Sequence, residues 1–111
     1  PVAPGPSSIR GLIMLQQNLK SVKDHGQKFP SELWAVVTRI PGAGDYDRVA
    51  DQLRRYFDGT ILDASIRETA GVQDSEWRCK SIFSYSVSST AAKDYFALAS
   101  ELIRIFGLKD A

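Results

Sequence analysis

The stretch "LWAVVTRIPGAGDYDRV" (Leu33–Val49) decides how this chain is read. Its first eight residues form a continuous apolar, β-branched run, too short for a helix. Such a run is typical of a strand covered on both faces, as strands of parallel sheets are. Pro41 to Gly44 then turn the chain, and Asp45 can cap a helix that runs to about Phe57, with Val49, Ala50, Leu53 and Phe57 inward. Strand, glycine loop and helix in this order invite a phosphate-binding reading, but the residues oppose it. A dinucleotide loop needs Gly-x-Gly-x-x-Gly, and the third glycine is absent. Asp45 and Asp47 put carboxylates where a helix N-terminus would otherwise welcome an anion. The sequence contains no Gly-x-x-x-x-Gly-Lys-Ser/Thr loop. Pro41–Gly44 therefore reads as a plain strand-to-helix turn.

Outward from this unit, the pattern repeats. Upstream, Ser7 or Ser8 can cap a helix whose positions Ile9, Leu12, Ile13, Leu15, Leu19 and Val22 suit one broad buried face, fading at His25-Gly26. "PVAP" before it reads as the last residues of a strand and a turn. Downstream, Asp58-Gly59 is a turn and "TILDASI" (Thr60–Ile66) a second strand. "GVQDSEWRC" forms a short helix, and "SIFSYSV" alternates as a short strand or an extended connection. Ser88 or Ser89 caps a last helix with Tyr95, Leu98, Ala99, Leu102, Ile103 and Phe106 as its buried stripe and Gly107 as its stop. Alternating helices and strands predict one α/β domain over residues 1–111, with a small, mostly parallel sheet between helical layers. So small a sheet needs both edges covered, which suggests a fragment that meets a missing half or a second copy of itself.

Composition narrows the classes. A chain of 111 residues is one domain, and 43% hydrophobic with 24% charged residues is the balance of water-soluble globular proteins. No apolar run approaches the ~20 residues of a membrane span, and the N-terminus lacks the basic-then-apolar order of a signal peptide. The single cysteine, Cys79, excludes an internal disulfide and favours a cytoplasmic location. A net charge of +1 demands no polyanionic partner.

Few residues announce chemistry. His25 has no second ligand at metal-binding spacing and suits the C-terminal end of its helix. Nothing orients Cys79 and His25 as nucleophile and base. Glu68, Asp74 and Glu76 cluster after the second strand. Sites in open parallel sheets lie beyond the carboxyl ends of strands, so this segment and Thr38–Gly44 are the places to look. Trp34 reads as core, and Trp77 as a core lid or an interface.

Over most of its length the sequence resembles the C-terminal half of ParA/MinD-like partition ATPases, members of the deviant-Walker P-loop group. The resemblance is carried by Ile66-Arg67, Asp74-Ser75, Lys80-Ser81-Ile82, Tyr85, Ser89, Ala92, Tyr95 and Leu98–Leu102. "PVAPGPSSIRGL" resembles the strand end and helix after the family's Walker B element, "AVVTRI" its Val-x-Thr-Arg strand, and "LRRYFDGTILDASI" the segment that follows. Arg67 stands where many relatives have proline, and Cys79 where they have glycine.

The resemblance implies the C-terminal half of a P-loop NTPase fold, without its Walker A and Walker B elements. It further implies that Thr38, Arg39, Ile66, Arg67 and Glu68 flank the adenine of ATP or ADP. In the full-length parent, Mg²⁺ and the phosphates would be held elsewhere, so no tight nucleotide binding and no hydrolysis is expected of this chain alone. The family dimerises, meets a stimulating partner protein and binds DNA nonspecifically, which draws attention to Arg54, Arg55, Arg78, Lys80 and Arg104. The role would be the partitioning of plasmids, chromosomes or other cargo. Apart from the resemblance, a small α/β protein-interaction module without catalysis fits the same residues.

Overall fold

In a computed structural model, described for residues 1–26, 28, 32–42 and 44–107, five helices surround two parallel strands. The order is α1 (Pro6–Asp24), β1 (Trp34–Ile40), α2 (Asp45–Tyr56), β2 (Thr60–Arg67), α3 (Ala70–Trp77), α4 (Ile82–Tyr85) and α5 (Thr90–Phe106). The α/β class and the parallel pairing follow the sequence reading. Among the described residues no helix is long and apolar enough to cross a membrane.

The sheet begins before β1. Val2 forms an isolated parallel bridge to Val37, donating its N–H to the Val36 carbonyl at 2.8 Å and accepting from Thr38 at 2.9 Å. "PVAP" is thus a strand end followed by a turn, and α1 links it to β1. Ala35, Val37 and Ile40 of β1 pack with Leu12, Val49, Leu53 and Phe57 into the main core. Side chains alternate along a strand, so Trp34 takes the face opposite Ala35. There it meets Phe106 of α5 edge-on, at 5.3 Å and 68°. Trp34 is therefore half-buried against one helix rather than enclosed in the core.

Helix starts differ from the sequence reading in two places. Pro6 opens α1 after Gly5, which puts Ser7 and Ser8 inside the first turn. Proline suits that position because its fixed φ is helical and its missing N–H would lack a partner there anyway. Gly44 precedes α2, so Asp45 is its first residue and pairs with Arg48 at 2.8 Å instead of capping. Along α1 only Leu12 is buried, while Leu15 is 51% and Val22 41% exposed. The broad face expected of α1 is half used. Its neighbour α2 reaches it mainly through Leu12, and Gln16 clasps the α2 end by donating to the Tyr56 carbonyl and accepting from the Asp58 N–H, both at 2.7 Å.

The segment "SIFSYSV" is a helical turn, not a strand. Ser81 accepts from the Ser84 N–H at 3.1 Å and starts the turn, which buries Ile82 and turns Tyr85, three residues on, to the same side. Both pack on Ala91 and Ala92 of α5 in a second, smaller core. The alternation that suggested a strand follows from serines spaced by two in a capped turn.

Helix α5 begins and ends as expected. Ser89 accepts from Ala92 at 3.1 Å, and Gly107 adopts the left-handed conformation at φ 63°. Its buried face, however, holds Ala91, Ala92, Asp94 and Glu101, while Tyr95, Ile103 and Phe106 are partly open and Ala99 is exposed. The reason lies in β2. Its pairing with β1 slips: Ala35 faces Ile61, but Val37 already faces Ser65. The bulge between them leaves N–H groups without a strand partner. Glu101 takes two of these, from Asp63 at 2.9 Å and Ala64 at 2.7 Å, and Asp94 takes the Arg67 N–H at 3.0 Å.

Substitutions at two positions test this account. Glu101→Ala should cost about 2 kcal/mol by stranding two N–H groups, and Glu101→Gln clearly less, as read from urea denaturation. At Gly59 a Cβ would lie 2.6 Å from the Leu33 carbonyl oxygen and 2.5 Å from Phe57 Cζ. That same carbonyl accepts from Thr60 as β2 begins. Gly59→Ala should therefore destabilise by about 1–3 kcal/mol in the same assay.

Candidate functional site

The carboxyl ends of β1 and β2 open onto a cavity of about 600 Å³. Arg39 at the end of β1 has φ 56°, a left-handed backbone uncommon outside glycine, asparagine and aspartate. The chain is held there by the Glu68 N–H, which donates to the Ile40 carbonyl at 2.9 Å and joins the two strand ends.

All five residues that the resemblance assigns to the base line this one cavity: Thr38, Arg39, Ile66, Arg67 and Glu68. Pro1, Thr69, Val72, Gln73, Glu76 and Tyr95 complete it. Of the acids singled out after β2, Glu68 and Glu76 are in the wall and Asp74 is not. Gln73 and Tyr95 are not assigned to a site by the sequence reading. Their signal was positional, since α3 follows directly on the loop from β2 and Tyr95 sits one residue after Asp94, which grips that loop.

Both guanidinium groups of the wall face carboxylates. Arg39 reaches Glu68 at 3.4 Å, a pair 72% and 55% exposed and so worth about 0.2–1 kcal/mol. Arg67 is held more firmly. Its Nε and Nη2 donate to the two Asp94 carboxylate oxygens at 3.1 and 2.8 Å, while its own N–H donates to the same group. The Asp94 side chain is only 11% exposed, against 44% for Arg67. Burial by itself would raise the Asp94 carboxyl, but the side-chain and main-chain hydrogen bonds from Arg67, with its charge, hold it below the usual 3.8. The hydrogen bond to Asp94 raises Arg67 in turn, with the neighbouring negative charge acting in the same direction. Among the described residues Glu76 forms no ion pair, and the buried Thr69 hydroxyl has no hydrogen-bond partner.

Such a wall suits a flat, uncharged, heteroatom-bearing group. The Tyr95 ring with Ile66 and Val72 offers apolar surface, and Thr38, Thr69, Gln73 and Glu76 offer donors and acceptors for its edge. Cys79 and His25 are outside the cavity; Cys79 is exposed and His25 bonds the Ser21 carbonyl through Nδ1 at 2.7 Å. No group of three His, Cys, Asp or Glu at metal-binding distance occurs among the described residues. The loop at Gly42 is a turn closed by the Asp45 N–H on the Gly42 carbonyl at 3.1 Å, with Ala43 outside the described residues.

The basic residues singled out for DNA are dispersed along the chain. Arg54 and Arg55 are on the last turn of α2, where Arg54 pairs with Asp51 at 2.7 Å, and Arg104 is on the last turn of α5. Arg78 and Lys80 share the turn between α3 and α4, with the Arg78 guanidinium 5.6 Å from the Tyr85 ring centre. Next to them Trp77 is 81% exposed, so it lids no core. Comparison of the chain with protein-family models, curated proteins and solved structures returned no match.

The Asp94 tie makes a pH prediction. A carboxyl lowered on folding contributes stability that is fully present above its unfolded value and lost as pH falls through the folded one. Stability should thus decline below about pH 4, and Asp94→Asn should flatten that part of the acid limb while lowering stability at neutral pH. Urea midpoints of both proteins between neutral and acid pH check this.

Proposed function

We propose that this chain supplies the base-binding side of a ParA/MinD-like ATPase, receiving an adenine at the carboxyl ends of β1 and β2. The observation that carries the reading is the convergence of Thr38, Arg39, Ile66, Arg67 and Glu68 on one cavity. These residues come from two strand ends at least 27 positions apart in sequence, Thr38–Arg39 and Ile66–Glu68. The bidentate pairing of Arg67 with Asp94 supports a base over a phosphate, because that guanidinium is already neutralised. The phosphates and Mg²⁺ of such a nucleotide belong to Walker elements that this sequence does not contain. In the same reading the basic residues of α2, of the α3–α4 turn and of α5 meet DNA without sequence preference, and the assembly is a dimer engaged by a stimulating protein.

A protein-interaction module is the second reading. It is favoured by exposed Trp77, Val87 and Phe96, large apolar side chains that neither core takes up. The two readings part on a simple titration. Adenosine added to the isotope-labelled chain should shift the resonances of Thr38, Ile66 and Glu68, and Tyr95→Ala should weaken that binding about tenfold, the loss of roughly one stacking contact. Unmoved resonances at these residues leave the interaction module as the better account. The purified chain should show no Mg²⁺-dependent ATP hydrolysis; measurable turnover would sink the proposal in its present form.

A further inference from the structure

Arg67 is the one residue shared by the large cavity and a smaller recess of about 310 Å³ beside it, where Asp94 forms part of the wall. Its guanidinium therefore stands at a partition with two possible employments. Facing the large cavity, it would be a phosphate or carboxylate hook, since a planar, permanently charged fork is the side chain best suited to such anions. Facing the recess, it is neutralised by Asp94 across two side-chain hydrogen bonds, with its main-chain N–H bound to the same carboxylate.

We infer that Asp94 is the specificity-determining residue of the cavity: by taking up the Arg67 guanidinium it closes the cavity to anions and leaves it to uncharged heteroaromatic groups. The choice of an adenine as that group rests on the proposed function; the refusal of anions does not. Asp94 touches no ligand in this scheme and acts through Arg67, as a positioning residue. The other guanidinium in the wall, Arg39, faces Glu68, so the pairing of the two guanidinium groups depends on two carboxylates, of which only Asp94 is buried and bidentate. Glu76, without an ion pair among the described residues, adds negative potential on the same side.

The test uses inorganic pyrophosphate, followed by phosphorus NMR, beside adenosine, followed by protein amide shifts. The wild-type chain should leave the pyrophosphate signal unchanged. Asp94→Asn keeps side-chain size and an acceptor for the Arg67 N–H but removes the charge, and should gain pyrophosphate binding by about tenfold or more over wild type. Adding Arg67→Gln to it should abolish the gain, and Asp94→Glu should restore refusal, which a merely structural role would not do. Adenosine should show no comparable gain in Asp94→Asn, because no charge on the nucleoside meets Arg67.

An Asp94→Asn protein that still refuses pyrophosphate overturns the inference, as does a double variant that binds it equally well. Should the variant fail to fold, the wild-type Arg67 Nε–H resonance decides: pyrophosphate must leave it in place, and a shift shows the guanidinium to be available. Failure of adenosine to bind the wild type would refute the base-binding proposal alone, since the pyrophosphate result stands apart from it.

Discussion

A strand at the margin of a sheet carries a row of N–H and C=O groups that something must meet, and in this chain carboxylates meet them. Among the described residues strand β2 has β1 on one side only. Its slipped register pushes Asp63 and Ala64 out of the ladder, and Glu101 takes both of their N–H groups. Asp94, seven residues earlier and on the same face of α5, does the same for Arg67. Two turns of helix thus match the exposed stretch of strand. Helix α5 is docked less by an apolar stripe than by two acids that the bulged strand requires.

That docking shapes the site. With Asp94 holding Arg67 by main chain and side chain, the exit from β2 is fixed where the Glu68 N–H can reach the Ile40 carbonyl. The strand ends are thereby joined at a set spacing, and Arg39 is held in a backbone conformation that a free chain would seldom choose. The cavity wall inherits its rigidity from these polar ties. It inherits much of its electrostatics from them as well, because the Arg67 guanidinium is committed to Asp94.

How much of this could be read from the residues depended on the kind of force involved. Strands β1 and β2 were legible because continuous β-branched runs between turns have few other uses, and the Val2 bridge because "PVAP" has the form of a strand end. Ser89 and Gly107 were legible because caps are local chemistry. The inward face of α5 was not. Hydrophobic periodicity assigns acids to solvent, and only the register slip in β2, a long-range event, gives Asp94 and Glu101 a reason to turn in. The helical turn at Ile82–Tyr85 was hidden for a related cause: its burial depends on Ala91 and Ala92, which the local sequence does not announce. At the site, Thr38, Arg39, Ile66, Arg67 and Glu68 came from a family resemblance laid over the strand-end rule, and Glu76 from that rule alone, whereas Gln73 and Tyr95 needed the fold to bring helices onto the loop.

The described structure has two apolar centres, one where α1 and α2 meet β1, the other where α4 meets α5. Buried Leu62 and Ile66 of β2 belong to neither cluster, and the cavity draws on Ile66, Val72 and Tyr95 from the region between them. Apolar contact alone would tolerate small slides of one centre against the other, since it has no direction. Hydrogen bonds from a carboxylate to neighbouring main-chain N–H groups tolerate much less, because both distance and angle are constrained. The acids of α5 therefore set the alignment of the two centres, and a group bound between them would meet walls whose relative position is fixed by polar geometry. This couples selectivity to fold: the carboxylate that aligns the walls at Arg67 is the one that removes the charge from between them.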